Sequence, residues 1–193
     1  MLELLAPAGS MDALRAAVQN GADAVYLGVG EFNARQSAKN FTIDTLTEAL
    51  RYCHVRGVQV HLTLNTLVTD REIQPVRELI RAAAQAGVDA FIVQDLGVVQ
   101  LCRQIAPQVS IHGSTQLTVH SLAGVQMCAA MGMDRVVLSR ELNRQEIAYI
   151  CANSPIEIEI FGHGALCMCY SGQCYLSAMI GSRSGNRGRC AQP

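Results

Sequence analysis

The chain repeats one junction, in which a helical run ends on glycine and a run of β-branched residues follows within about two positions. Glycine suits the left-handed residue that closes many helices, because it has no Cβ to clash. Proline stops a helix by another route, because it cannot continue the hydrogen-bonded backbone. The glycine junctions fall at Gly21, Gly57, Gly87 and Gly132, and the proline junctions at Pro107 and Pro155. The chain is therefore predicted to alternate helices with strands.

Seven strands are predicted at these junctions, and a helical pattern follows each of the first six. Alternation of this kind favours a parallel sheet, and units of roughly 20–35 residues suit an eight-stranded barrel better than an open sheet. We predict an α/β fold, a TIM-like (β/α) barrel that is incomplete here, with its closing part beyond Pro193. The predicted strands lie near residues 3–5, 24–27, 58–63, 89–93, 109–112, 135–138 and 156–161.

A doubly wound sheet that cradles a nucleotide is the rival fold. The first turn reads APAGSMD, which lacks the usual phosphate fingerprint. The later GVGEFN carries Asn33 where the last glycine of GxGxxG should stand, and no Walker-type Gly-Lys-Ser/Thr is present. Nucleotide cradling is therefore unsupported.

Composition and the N-terminal sequence bear on where the protein works. No segment approaches the roughly 20 apolar residues that span a bilayer, and the N-terminus lacks the charged start and apolar stretch of a signal peptide. We therefore expect a soluble, cytoplasmic protein without a membrane partner. The net charge of −1 gives no sign of a broadly polyanionic partner.

Polar residues follow most of the predicted strands, at the end of a (β/α) barrel where catalytic groups gather. Each one alone is more often a cap or a loop hydrogen bond than a catalytic group. Together they predict a polar mouth over an apolar barrel, where a substrate would bind. They are Glu31, Asn33, Arg35, Asn65, Thr66, Gln94, Asp95, His112, Ser114, Gln116, Ser139, Arg140, Glu141 and His163.

Four of the eight cysteines cluster near the C-terminus without a helical period: Cys167, Cys169, Cys174 and Cys190. We divide the chain into a barrel portion, 1–161, and a Cys/Gly/Arg-rich segment, 162–193, truncated at its C-terminus. Thiolate clusters bind zinc or iron–sulfur centres. The gaps of one, four and fifteen residues match neither a zinc knuckle nor a radical S-adenosylmethionine motif. The spacing favours an iron–sulfur centre and leaves zinc open. The other four cysteines, on predicted helices, are expected to act as small hydrophobes: Cys53, Cys102, Cys128 and Cys151.

The same segment carries three arginines and no acidic residue follows Glu159. Local positive charge on a Ser/Gly/Asn-rich loop would attract a carboxylate or a phosphate, and a solvated surface loop is the plain alternative. The candidates for anion binding are Asn33, Arg35, Arg183, Arg187 and Arg189.

Several motifs resemble the collagenase-like peptidases of unknown catalytic type, peptidase family U32. The family signature is an acidic residue, a His-Gly-Ala-Leu-Cys run and then Ser-Gly-x-Cys-x-x-Ser. Its positions here are Glu159, His163, Gly164, Ala165, Leu166, Cys167, Ser171, Gly172, Cys174 and Ser177. The continuation from Arg183 to Pro193 also matches, as do LLAPAG, ADAVYLG, FNAR and VVLSREL. The resemblance covers the whole chain.

The resemblance implies a barrel and, in several branches, a four-iron–four-sulfur (4Fe-4S) cluster on four cysteines. The matching ligands are Cys167, Cys174 and Cys190, with the fourth beyond this chain; Cys169 is the less favoured substitute. Similar members hydroxylate a pyrimidine in rRNA or tRNA, or a ubiquinone precursor, without molecular oxygen, and prephenate is the implied oxygen donor. The tail most resembles the ribosomal-RNA branch.

We favour an iron–sulfur-dependent RNA hydroxylase, with His163 and Glu159 as catalytic candidates. His163 could move a proton beside the cluster, or it could simply orient the loop. A peptidase is the first alternative, with Ser114 or Ser171 paired to His112 or His163, although no nucleophile-elbow motif supports either pair. A zinc-stabilised RNA-binding module without catalysis is the second.

Overall fold

Seven parallel strands form one sheet in strict sequence order in the computed structural model, which describes residues 2–34, 40–164, 167–182, 184–185 and 189–190. This order has no switch point of the kind found in a doubly wound sheet, so the rival fold is excluded. The sheet is curled, as the contact between Arg135 on the sixth strand and Glu3 beside the first strand shows. The strands are β1 Leu5–Pro7, β2 Ala24–Gly28, β3 Gln59–Leu64, β4 Ala90–Val93, β5 Ser110–Gly113, β6 Arg135–Val137 and β7 Glu157–Glu159.

Helices connect successive strands and pack on the outer face of the sheet, as the sequence predicts. The helices are α1 Met11–Gln19, α2 Ile43–His54, α3 Ile73–Ala86, α4 Leu96–Ile105, α5 Leu122–Ala130, α6 Arg144–Asn153 and α7 Leu176–Gly181, with 3₁₀ turns at Asp70–Glu72 and Thr115–Leu117. The N-termini of α1, α2, α4, α5 and α6 are capped by side chains that accept backbone N–H bonds, among them Thr42, Asp95 and Asn143. No helix in the described ranges combines the length and the hydropathy needed to cross a bilayer.

The glycine junctions have the left-handed backbone that the sequence predicts. Gly21 and Gly87 have φ of 89° and 98°, and each is followed at once by the approach to a buried strand. The predicted strand boundaries are also close. The exceptions are β1, which begins two residues later than predicted, and β7, which is shorter than the predicted 156–161.

The core lies between the sheet and the helices. Alternate strand residues such as Val60, Leu62 and Leu64 face outward and are fully or almost fully buried against helix residues such as Leu46 and Ile80. This alternation follows from the two-residue period of a strand. The intervening residues face into the curled sheet, where they form the inner wall.

The inner wall is polar toward the N-terminal ends of the strands, so the expectation of an apolar barrel is wrong. His61 and His112 stack edge to face there, with ring centroids 4.7 Å apart. Arg135 lies beside them and pairs with Glu3 and Glu157. The charge of Arg135 is compensated by these carboxylates, which a residue-by-residue reading of hydropathy does not reveal. Nδ1 of His61 and of His112 is buried without a hydrogen bond within the described residues.

Burial keeps both inner histidines neutral. It lowers the pKa of His61 to about 4 and that of His112 to about 3, and the positive charge of Arg135 acts in the same direction. Each histidine therefore takes up a proton more readily in the unfolded chain than in the folded one.

We predict that the stability of the protein falls as the pH drops from about 6.5, the ordinary histidine pKa, toward 4. In this window the unfolded state binds more protons, so each histidine removes up to about 1.4 kcal/mol of unfolding free energy per pH unit. His112→Asn should roughly halve this pH dependence. Urea unfolding at about three pH values between 7.5 and 5 measures this pH dependence of the unfolding free energy.

Ile111→Val is the matched control, because it perturbs the same strand on its outer face without removing a titratable group. It should lower stability by about 1 kcal/mol at every pH. Equal pH slopes for the wild type and His112→Asn would contradict the assignment.

Candidate functional site

A cavity of about 690 Å³ opens at the C-terminal ends of the strands, where the sequence places the polar mouth. Its inner wall is formed by strand residues on the concave face of the curled sheet, including Tyr26, Thr63, Ile92 and Glu159. Its rim is formed by the loops that follow the strands and by the cysteine-rich segment. The predicted mouth residues that line it are Asn33, Asn65, Ser114, Gln116, Arg140 and His163.

Other residues that the sequence predicts at the mouth do not line the cavity. Thr66, Gln94 and Ser139 are buried and are not among the residues that line the cavity. Asp95 caps α4 and also accepts the backbone N–H of Val68. Asp95 therefore stabilises its loop, whereas Thr66 Oγ1, Gln94 Oε1 and Ser139 Oγ are buried without a hydrogen bond within the described residues.

Asn33 lies in the cavity wall, but its amide serves the loop that follows β2. Its Nδ2 donates to the carbonyl oxygen of Gly30 at 3.0 Å, and its side chain is almost completely buried. A Cβ on Gly28 would lie 2.6 Å from the Asn33 side chain, so glycine is required there for this packing. Arg35, the neighbouring anion-binding candidate, lies outside the described residues.

The anion-binding arginines of the tail are only partly described. Arg189 is exposed, and its backbone N–H donates to Ser184, but it is not among the cavity-lining residues. Arg183 and Arg187 lie outside the described residues.

Three of the clustered cysteines line the cavity: Cys167, Cys174 and Cys190. Cys169 does not line it, although hydrogen bonding with the thiol of Cys174 raises the pKa of Cys169. In the described part of the chain, no three Cys, His, Asp or Glu side chains are close enough to hold a metal ion. The three thiols therefore share a cavity without forming a closed coordination site.

The remaining cysteines are separate from the cavity. Cys53, Cys102 and Cys128 are buried in the core, and burial raises the pKa of the Cys102 thiol to about 12. The expectation of a small packed hydrophobe holds for these three. Cys151 on α6 is exposed, so for it the expectation is wrong.

Arg140, in the loop after β6, holds the first part of the cysteine segment. Its Nη1 donates to the carbonyl oxygen of Cys167 at 2.9 Å, and its Nη2 donates to that of Cys169 at 3.0 Å. Its backbone N–H also donates to the hydroxyl of Ser171. One barrel residue thus fixes the backbone on both sides of Met168.

Glu141 and Thr118 hold the next turn of the segment. Burial opposes ionisation of Glu141, but the backbone N–H and the hydroxyl of Ser171 both donate to it and lower its pKa. Thr118 donates from its hydroxyl to the carbonyl oxygen of Ser171 at 2.8 Å and accepts from Gln173. A Cβ on Gly172 would lie 2.4 Å from the carbonyl oxygen of Gln116, so only glycine fits this contact.

The two catalytic candidates differ in their surroundings. His163 is exposed at the rim, whereas Glu159 lies on β7 in the inner wall. The Oε2 atom of Glu159 is buried and makes no hydrogen bond within the described residues. Both side chains face the same cavity as the three thiols.

The curled parallel sheet with its cavity at the carboxyl ends of the strands defines a TIM-like (β/α)-barrel protein. Residues 9–193 match the model of Peptidase family U32, and the chain belongs to this family. A solved U32 peptidase has the same fold, with a TM-score of 0.70 at 16% identity over 83% of this chain and 68% of that one. A thiamine phosphate pyrophosphorylase from Pyrococcus furiosus shares the fold more distantly, with a TM-score of 0.59 at 14% identity over 84% of this chain and 76% of that one.

Curated relatives match the chain almost from end to end. The tRNA hydroxylation protein P1 of Bacillus subtilis is 40% identical over 98% of this chain and 45% of its own length. A 23S rRNA 5-hydroxycytidine synthase of Escherichia coli is 41% identical over 99% of this chain and 29% of its length. A protein of Porphyromonas gingivalis named collagenase is 39% identical over 98% of this chain and 48% of its length. The chain thus spans less than half of each of these relatives.

We predict that Arg140→Ala loosens the cysteine segment and leaves the barrel folded. The change removes two hydrogen bonds from a charged group, worth about 1–3 kcal/mol of local stability each. Amide hydrogen exchange across residues 167–174 should become faster, whereas exchange in β2 to β5 should not change.

Arg144→Ala is the matched control, because it removes an exposed arginine from the next helix. It should leave exchange in residues 167–174 at the wild-type rate. Equal exchange in Arg140→Ala and the wild type would show that the hydrogen bonds of Arg140 do not hold the segment.

Proposed function

We propose that this chain carries the catalytic barrel of an RNA-modifying enzyme that hydroxylates a pyrimidine in rRNA or tRNA without molecular oxygen. The observation that carries the proposal is the convergence of three cysteines, Glu159 and His163 on one cavity at the mouth of the barrel. Relatives named as tRNA and rRNA hydroxylation proteins support the choice of substrate. An RNA substrate of this kind supports a cytoplasmic location for the proposed reaction.

The proposed cofactor is a 4Fe-4S cluster, held here by Cys167, Cys174 and Cys190. Thiolate sulfur is the donor that iron–sulfur clusters require, and all three side chains face one cavity, so the donor set fits such a cluster apart from its fourth ligand. When bound, the cluster would supply one-electron chemistry. Zinc on the same thiols is the alternative.

The cavity has a size and a rim that suit one nucleobase. Its volume of about 690 Å³ is within the usual range of about 300–1,000 Å³ for ligand pockets. An enzyme that modifies a base must take it out of the stack. Phe161 and Tyr170 line the cavity with half or more of their surface exposed, so they are placed to stack on a base.

The oxygen donor in this proposal is prephenate, which follows from the resemblance. Arg140 would help to position such an anion only indirectly, because two of its donors already bind carbonyl oxygens of the cysteine segment. Asn33, Arg35, Arg183, Arg187 and Arg189 remain the candidates for anion binding.

The peptidase alternative finds less support in the geometry. The hydroxyl of Ser171 donates to Glu141, and that of Ser114 accepts the backbone N–H of Gln116. A serine nucleophile needs a histidine base within hydrogen-bond reach, and neither serine bonds a histidine within the described ranges. His112 is buried against His61 instead.

We predict that the full-length protein, purified without oxygen, contains about four irons and about four sulfides per chain. Cys174→Ala should lose both together with the visible absorption, because the thiolate is a direct ligand. Cys151→Ala is the matched control and should retain them, because this exposed cysteine lies on α6. Zinc alone in the wild type would contradict the iron–sulfur proposal and favour the binding-module alternative.

We predict that disruption of the gene abolishes one hydroxylated pyrimidine in the rRNA or tRNA of the source organism. Mass spectrometry of RNA nucleosides measures this loss. The wild-type gene should restore the modified nucleoside, whereas Cys174→Ala should not.

Glu159→Gln and His163→Ala test the two catalytic candidates in the same complementation. Full restoration by His163→Ala would limit His163 to orienting its loop. An unchanged nucleoside profile after disruption, together with peptide hydrolysis that survives Cys174→Ala, would favour the peptidase.

A further inference from the structure

Arg135 uses most of its hydrogen-bond donors on two carboxylates of the inner wall. Its Nη1 and Nη2 donate to the two oxygens of Glu3 at 2.5 and 3.0 Å. Its Nε and Nη2 donate to Oε2 of Glu157 at 2.8 and 2.6 Å. A guanidinium has five N–H donors, so these four bonds leave one N–H on Nη1.

Glu159 is the third carboxyl group near this guanidinium, and it has the poorest contact. Its Oε2 is 3.7 Å from Nη1 of Arg135, which is too long for a hydrogen bond. The same oxygen is buried and has no hydrogen-bond partner within the described residues. Its side chain is 20% exposed and lines the cavity.

The other charged or titratable groups around Glu159 do not compensate for this. Glu3, beside β1, and Glu157, on the same strand as Glu159, are acidic, and they hold the positive charge of Arg135 on β6. His61 on β3 and His112 on β5 face the same interior, and burial keeps both of them neutral. The single positive charge of Arg135 therefore lies beside three carboxyl groups, those of Glu3, Glu157 and Glu159.

We propose that Glu3 and Glu157 hold Arg135 so that Glu159 stays uncharged and donates a hydrogen bond to the ligand in the cavity. Glu3 and Arg135 are then positioning residues, since they act only through Glu159. The proposal rests on the proposed function only for the identity of the ligand. A hydrogen-bond acceptor such as a pyrimidine carbonyl oxygen fits this role.

The balance of forces on Glu159 agrees with the geometry. Burial raises the pKa of Glu159, and the negative charge of Glu3 adds to this rise, whereas Arg135 opposes it. In contrast, the hydrogen bonds from Arg135 lower the pKa of Glu3. The same guanidinium thus favours the ionised form of Glu3 and only partly offsets the effect of burial on Glu159.

Glu157→Gln is the first test, because the Glu157 side chain is 68% exposed and its replacement should be tolerated. The change removes one negative charge and weakens the hold on Nε and Nη2, so Arg135 can turn toward Glu159. The titration midpoint of Glu159 should fall by about one pH unit, which lowers its uncharged fraction above the midpoint about tenfold. Carboxyl-carbon NMR of ¹³C-labelled protein measures it, with Glu159→Gln identifying the signal.

Glu3→Gln is the second variant and should shift the midpoint in the same direction. Glu78→Gln is the matched control, because it removes an exposed glutamate from α3 and should leave the midpoint unchanged. Unchanged or higher midpoints in both inner-wall variants would overturn the proposal, as would a wild-type Glu159 that is ionised throughout the titration.

The NMR titration needs neither RNA nor cofactor, so its outcome is separate from that of the proposed function. If the protein hydroxylates RNA, the high-pH limb of its activity profile should move to lower pH in Glu157→Gln by the same amount. A shifted titration in a protein that hydroxylates no RNA would sustain the role of Arg135 and remove the pyrimidine as its ligand.

Discussion

The guanidinium of Arg135 joins the two ends of the curled sheet. It extends from β6, pairs with Glu157 on β7 and reaches Glu3 beside β1. A buried charge is tolerated only when it is paired and its donors are satisfied, so this network favours a curl that brings β1 and β7 within reach of one arginine. The inward position of Glu159 on β7 depends on that curl.

The mouth of the barrel is organised around backbone groups of the cysteine segment. Arg140 and Thr118 contact this segment through its carbonyl oxygens, and Glu141 accepts a backbone N–H. Contacts of this kind set the path of the chain through its backbone groups, and Cys167, Cys174 and Cys190 line the cavity. The loops after β5 and β6 thereby connect the regular barrel to a segment with little secondary structure of its own.

Much of the fold can be predicted from the sequence because the residues that end each helix and form each strand are neighbours in the chain. Gly87 closes a helix through its own left-handed backbone, and the apolar run that follows becomes β4. The prediction of an apolar barrel interior is wrong because the interior depends on contacts between residues that are distant in the sequence. Whether Arg135 in a run of valines is exposed or paired depends on Glu3, 132 residues away. No local pattern contains that partner.

The sequence by itself determined the alternating strands and helices, the family and the cysteines that face the cavity, because each depends on residue type and spacing along the chain. The tertiary structure alone decided which polar residues meet. It buried His61 against His112, turned Thr66 and Gln94 away from the mouth and left Glu159 beside an arginine already paired with two carboxylates. The physical reason is that such contacts depend on strand register and sheet curl, which bring together residues distant in the chain.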